Sequence, residues 1–230
     1  MNTDMLRTLA LLVPVLLVSC ADPNVNTGAP SPANKTSPPP SAGISPVEEL
    51  FNPAAINELN AQNCVASPWT DASGNPISVD QKFGDGSAAV TRCLAETDAI
   101  KVLYQVNTFC EDVACTKPYA LGNVLNQITD LEVTHGIKAS QYEIVLVIHA
   151  GGWNMVLDPA KGHPDAASNI FSAKVAGLVK RPNVKVLFCQ NTASAHKVTL
   201  DQMIAGIGFV TSGVSAITDL QDVGYQYVQP

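Results

Sequence analysis

The sequence predicts an α/β domain: a mostly parallel sheet of five strands with helices on both faces, preceded by a mainly irregular extension. Three observations carry that prediction. From Ala99 onward, short β-rich runs alternate with stretches of helical periodicity, the pattern that right-handed crossovers leave in a sequence. Glu143-Ile-Val-Leu-Val-Ile-His149 is an almost unbroken apolar run, as a strand buried on both faces requires. Val184-Lys-Val-Leu-Phe-Cys189 is a further strand, and it delivers a cysteine to its carboxyl end, where parallel sheets place their chemistry.

Taken in order, residues 1–19 read as a lipoprotein signal peptide. Arg7 supplies a positive start, and the apolar stretch from Leu9 to Val18 is shorter than the ~20 residues that span a bilayer. Leu17-Val-Ser-Cys20 resembles the bacterial lipobox, in which a peptidase cuts before a cysteine whose sulfur takes a lipid. The expectation is lipidation at Cys20 and an extracytoplasmic, membrane-anchored protein on the periplasmic side. Ala21 rather than Asp after that cysteine favours the outer membrane where there are two. Residues 20–46 are rich in Pro, Ser, Ala, Asn and Thr; they cannot bury enough surface to offset ordering entropy and read as a tether.

Residues 47–98 form the extension. Val47 to Leu59 has helical periodicity after Ser45-Pro46, and Asn60 to Arg92 is loop-rich. Asp71, Asp80 and Asp85 lie near glycines but not at EF-hand spacing, so they read as turn formers. Residues 99–230 form the main domain. Its predicted strands are Ile100–Val106, Glu143–His149, Val184–Cys189, Gly208–Thr211 and Tyr225–Val228. Its helices are Tyr119–Val133, on a stripe of Leu121, Val124, Leu125, Ile128 and Leu131; Asn169–Val179, stopped by Arg181-Pro182; a short Thr199–Ile204; and Val214–Val223, capped by Gly224.

The formal charge of −7 and the lack of any Lys/Arg cluster exclude nucleic acid as a partner, because phosphate neutralisation needs a basic patch. There is no Walker A sequence, no Gly-x-Ser-x-Gly elbow and no Cys-x-x-Cys knuckle, so neither a cofactor nor a metal is expected. With Cys20 assigned to lipid, five cysteines remain. Cys64 and Cys93 lie in the extension, where a disulfide would staple a region short of apolar residues, and Cys110 and Cys115 flank a short loop. Sequence alone leaves the connectivity open. On this count Cys189 is single. The turn after it carries Asn191 and Thr192, which can donate to a sulfur anion or order the turn, with His196 and Lys197 nearby.

Residues from about Ile100 to Pro230 resemble the DsrE/DsrF-like family. The resemblance rests on Val-Leu-Val-Ile-His149-Ala-Gly-Gly152, on Val-Lys-Val-Leu-Phe-Cys189-Gln-Asn191-Thr192, and on Val-Thr-Ser-Gly213-Val through Gly224-Tyr-Gln-Tyr-Val. It implies a flavodoxin-like sheet, assembly as trimers or hexamers, and a cysteine beyond the third strand that carries a persulfide in the sulfur-relay members. Cys189 stands at that position, with Asn191 and Thr192 as helpers. The loops after the first strands, with Asn107, His149, Gly151 and Gly152, would form the pocket. In a sheet of order 2-1-3-4-5, the Cys110–Cys115 loop would also approach Cys189 across the crevice between the first and third strands. The sulfur donor and acceptor are open, and so is catalysis itself, which would be sulfurtransferase-like. The alternative is a non-catalytic oligomeric binding module using the same loops.

Overall fold

An apolar run that is buried on both sides has to be a central strand, and Tyr142–Ile148 (β2) sits in the middle of a five-stranded sheet of order β4-β3-β2-β1-β5. The computed structural model describes Ala54, Ile56 and residues 64–230. The stretches read above as a signal peptide and a tether, and Cys20 with them, lie outside the described residues. So does the predicted helix from Val47 to Leu59, except Ala54 and Ile56, which are both helical. Ile100–Val106 (β1), Val184–Cys189 (β3), Gly208–Val210 (β4) and Gln226–Val228 (β5) complete the sheet, and every neighbouring pair is parallel.

The layered class is the one expected, but the order within the sheet is not 2-1-3-4-5. The chain adds β2, β3 and β4 in succession to one edge and returns only once, to place β5 beside β1. Right-handed crossovers that all step the same way put their helices on one face, and the single reverse step puts its helix on the other. Accordingly Leu121–Thr129 (α2), Ser172–Val179 (α3) and Gln190–His196 (α4) share a core with Val102, Tyr104, Ile144, Leu146, Val186 and Phe188. Gly213–Asp222 (α5) covers the opposite face, where Ile217 packs on Leu103, Val145 and Val147. Because side chains alternate along a strand, Cys189 shares the α5 face with Leu187, not the larger core under α2 to α4. Each fully buried aliphatic side chain contributes about 1.5–3 kcal/mol, and β2 alone supplies Ile144, Leu146, Val147 and Ile148 at zero exposure.

Three stretches differ from the sequence reading. The stretch predicted as a turn after Cys189 is helix α4; only Ala193 of Gln-Asn-Thr-Ala-Ser-Ala-His is buried, so it leaves no apolar periodicity to read. Thr199–Ile204 is instead one 3₁₀ turn, Leu200–Gln202, because Met203 is extended and bridges to Leu157. The Tyr119–Val133 prediction splits into α2 and a π turn at Asp130–Thr134.

The extension contributes a short helix, Val79–Phe83 (α1), opened by a Ser78/Gln81 capping box. A disulfide joins Cys64 to Cys93. The buried ring of His135 anchors this region to the main domain. It accepts the Leu94 N–H at Nε2 (3.0 Å), donates from Nδ1 to the Asp130 carbonyl (3.0 Å), and is flanked by a Val65 N–H bond to the Thr134 carbonyl (2.7 Å).

Candidate functional site

β1, β2 and β3 end level with one another, with Ile148 paired to both Val106 and Phe188. The next residue of each strand direction is therefore Asn107, His149 and Cys189. The chain must turn sharply after β2. Ala150 takes a left-handed φ of 46°, and Gly151 and Gly152 lie flat on the β1 loop: a Cβ on Gly152 would sit 2.7 Å from the Val106 carbonyl oxygen, and one on Gly151 3.0 Å from that of Asn107. These glycines thus serve close backbone approach. The strained Ala150 directs its N–H to Thr192 Oγ1 at 3.1 Å, which ties the β2 turn to the start of α4.

Cys189 is the free cysteine among the described residues and is 5% exposed. Burial pushes its thiol pKa up. Hydrogen bonds from the Thr192 N–H and hydroxyl and from the Gly213 and Asn191 N–H groups outweigh that effect, so the pKa lies below its ordinary value. All four donors are neutral. The backbone donors come from the first turns of α4 and α5, whose early N–H groups have no partner within the helix. The Thr192 hydroxyl accepts from Ala150, which leaves its proton for the sulfur. Asn191 acts through its backbone.

His149 stands beside the thiol on the next strand. Gly213 separates them: it donates its N–H toward the sulfur, and a Cβ placed on it would lie 2.9 Å from His149 Cβ and 3.0 Å from Cγ. Burial holds the His149 pKa below its ordinary value, so the ring is neutral at neutral pH. Its Nε2 lies 2.7 Å from Gln105 Nε2. The Tyr227 hydroxyl of β5 reaches the Gln105 carbonyl oxygen and, at 3.2 Å, Gln229 Oε1, so its one proton is shared between the two. Gln105, His149, Cys189 and Tyr227 thus bring four of the five strands to one site. Sequence reading missed Gln105, Gly213 and Tyr227; strand alternation placed Gln105 on this face, but only the strand order brings β5 beside it.

Other expected features fall elsewhere. Cys110 and Cys115 are disulfide-bonded in the loop after β1 and pack against the core under α2 to α4. Because β2 lies between β1 and β3, no crevice joins that loop to Cys189, and the expected approach across it does not occur. His196 stacks on Trp153, with centroids 4.1 Å apart, and Lys197 follows at the far end of α4. Two sulfurs and a ring nitrogen, from Cys64, Cys93 and His135, do lie within 4.8 Å of one another. The disulfide removes the thiolates that a zinc ion needs. That cluster was invisible in the sequence, because His135 is distant from both cysteines along the chain.

No curated protein matches the chain. Among solved structures it is similar to a protein of unknown function, MTH1491 from Methanobacterium thermoautotrophicum, at 24% identity and a TM-score of 0.44, covering 57% of this chain and 99% of that one. A model of the DsrE/DsrF-like family matches residues 113–230, beginning after β1 and including His149, Cys189 and Gly213. With just over half of its residues matched, the chain belongs to the DsrE/DsrF-like family.

Proposed function

We propose that this protein handles sulfane sulfur through Cys189, which accepts it as a persulfide and passes it on. The observation that carries the reading is the free thiol at the end of β3, buried yet surrounded by four hydrogen-bond donors that favour its thiolate. A cysteine that merely fills a core has no need of converging donors. Membership of the DsrE/DsrF-like family supports a sulfur-relay type of role. The same reading takes the chain as a lipoprotein anchored through Cys20 outside the cytoplasm and working as a homo-oligomer. The Cys64–Cys93 and Cys110–Cys115 disulfides fit an oxidising compartment.

The chemistry needs no external oxidant. With thiosulfate as donor, the Cys189 thiolate attacks the outer sulfur. A new S–S bond forms, the S–S bond of thiosulfate breaks with its electron pair on the departing sulfite, and Cys189 is left as a persulfide anion. Intact-mass analysis after incubation with thiosulfate or polysulfide tests the proposal. The expected result is a gain of one or more sulfur atoms on the wild-type protein and none on Cys189→Ala. A wild-type protein that takes up no sulfur from either donor would overturn it.

A further inference from the structure

We infer that Cys64, Cys93 and His135 form a second, redox-controlled site: a disulfide beside a histidine when oxidised and, once reduced, three ligands for a divalent ion of the zinc class. The inference does not depend on the reading of Cys189 given above.

Four observations lead to it. First, the donors converge. Two sulfurs and a ring nitrogen from three separate stretches of the chain lie within 4.8 Å of one another. Tetrahedral zinc, with Zn–S of about 2.3 Å and Zn–N of about 2.0 Å, sets sulfur and nitrogen about 3.5 Å apart and two sulfurs about 3.8 Å apart. Cys64 Sγ already stands 3.9 Å from His135 Nε2. Breaking the S–S bond frees the two sulfurs to part to the other spacing.

Second, the histidine presents the correct atom. Its Nδ1 lies 3.0 Å from the Asp130 carbonyl oxygen, which can only accept, so the ring proton is on Nδ1. Nε2 therefore carries the lone pair, and it faces the Leu94 N–H and the Cys64 sulfur. A carbonyl on the far nitrogen, here with Asp130 Oδ2 also 3.6 Å away, is what orients a metal-binding histidine and raises its basicity. The incoming ion displaces the Leu94 N–H, a loss of one neutral hydrogen bond against three metal–ligand bonds.

Third, the charges balance. Two thiolates and a neutral imidazole cancel a divalent cation, as a site holding a cysteine only 1% exposed requires. This soft donor set favours zinc over magnesium or calcium. Fourth, the site is reachable. Cys64 is partly exposed and lines, with Trp69, Asp130 and Thr134, a surface cavity of about 620 Å³. Three protein ligands leave a fourth position for water.

A small dithiol supplies the electrons. One of its thiolates attacks a disulfide sulfur, giving a mixed disulfide and one free cysteine thiolate. Its second thiolate then releases the other cysteine, and the reagent departs as its own cyclic disulfide. Two electrons and two protons pass to the protein. Metal binding expels both thiol protons and leaves the imidazole neutral. A small disulfide takes the two electrons back, reforms Cys64–Cys93 and releases the ion.

The experiment uses cobalt(II) and zinc(II) alone as probes, on protein reduced with dithiothreitol, freed of it and kept without oxygen. The expected result is one cobalt ion per chain, with a thiolate-to-cobalt charge-transfer band and the visible bands of a tetrahedral site. The oxidised protein should show neither. In reduced wild type, zinc should protect Cys64 and Cys93 from iodoacetamide while Cys110, Cys115 and Cys189 are alkylated, as read by peptide mass spectrometry. His135→Ala should weaken cobalt affinity by at least the roughly 10- to 100-fold that loss of an outer-shell partner costs. Reduced wild type without the thiolate-to-cobalt band would overturn the inference. So would zinc protection that falls on Cys110 and Cys115 instead, or a His135→Ala variant that binds cobalt as tightly as wild type.

Discussion

Thr192 contributes two of the four hydrogen bonds to the Cys189 sulfur and also receives the Ala150 N–H, so its hydroxyl is the single group most worth removing. Thr192→Val keeps the shape and deletes the O–H. A charge-assisted hydrogen bond is worth about 1.5–3 kcal/mol, so alkylation of Cys189 near neutral pH should slow by roughly 10- to 100-fold, with its pH midpoint moving upward. The sign for stability follows from the same shift. The folded thiol has a pKa below its ordinary value of 9.0, so folding favours the thiolate. That contribution is fully present above the unfolded thiol's pKa and is lost as pH falls through the folded value. Wild type should therefore gain stability relative to Cys189→Ala as pH rises through that window, measured by urea unfolding, and Thr192→Val should gain less. At this scale the sequence was informative for Cys189 and Thr192, because a lone cysteine at a strand end is a local signal. Asn191 reads as a side-chain donor in sequence, yet it serves through its N–H, which any residue carries.

Among the elements, α5 matters most, because its first residue is both a donor to the thiol and the surface on which His149 packs. Only glycine fits there. A Cβ at Gly213 would lie 2.9 Å from His149 Cβ and 3.0 Å from Cγ, so Gly213→Ala has to displace the histidine or the helix start. The expected cost is about 1–3 kcal/mol in thermal or urea unfolding, together with slowed alkylation of Cys189. Gly177→Ala is the matching control. It lies within α3, where an added Cβ would meet nothing inside 4 Å, and should stabilise the protein by about 0.5–1 kcal/mol. The strands were legible in sequence within a residue or so, because apolar runs bounded by Gly, Pro and polar turns are strong signals. Helix α4 was not legible, since it is anchored by Ala193 alone and by its continuity with β3. The demand for glycine at 213 was equally hidden, because it arises from a contact with a residue sixty-four positions away.

For the molecule as a whole, strand order decides what the site contains. Right-handed steps from β1 to β4 followed by one return put α2, α3 and α4 on one face and leave α5 alone on the other. The thiol, the histidine and the Gln105–Tyr227 pair all open onto the α5 face, at the carboxyl ends of the strands, while the Cys110–Cys115 loop packs on the opposite side. Composition and periodicity gave the class of this fold but not the order of its strands, since order is set by the direction of each crossover and leaves no mark on periodicity. The central claim is that the fold makes Cys189 reactive rather than merely burying it. The most direct test compares its sulfuration by polysulfide at neutral pH in the folded protein and in urea with both disulfides intact, followed by peptide mass spectrometry. A preorganised site predicts faster uptake in the folded protein, despite a residue exposure of 5%. Faster uptake in the unfolded chain would contradict it and identify Cys189 as a packing residue.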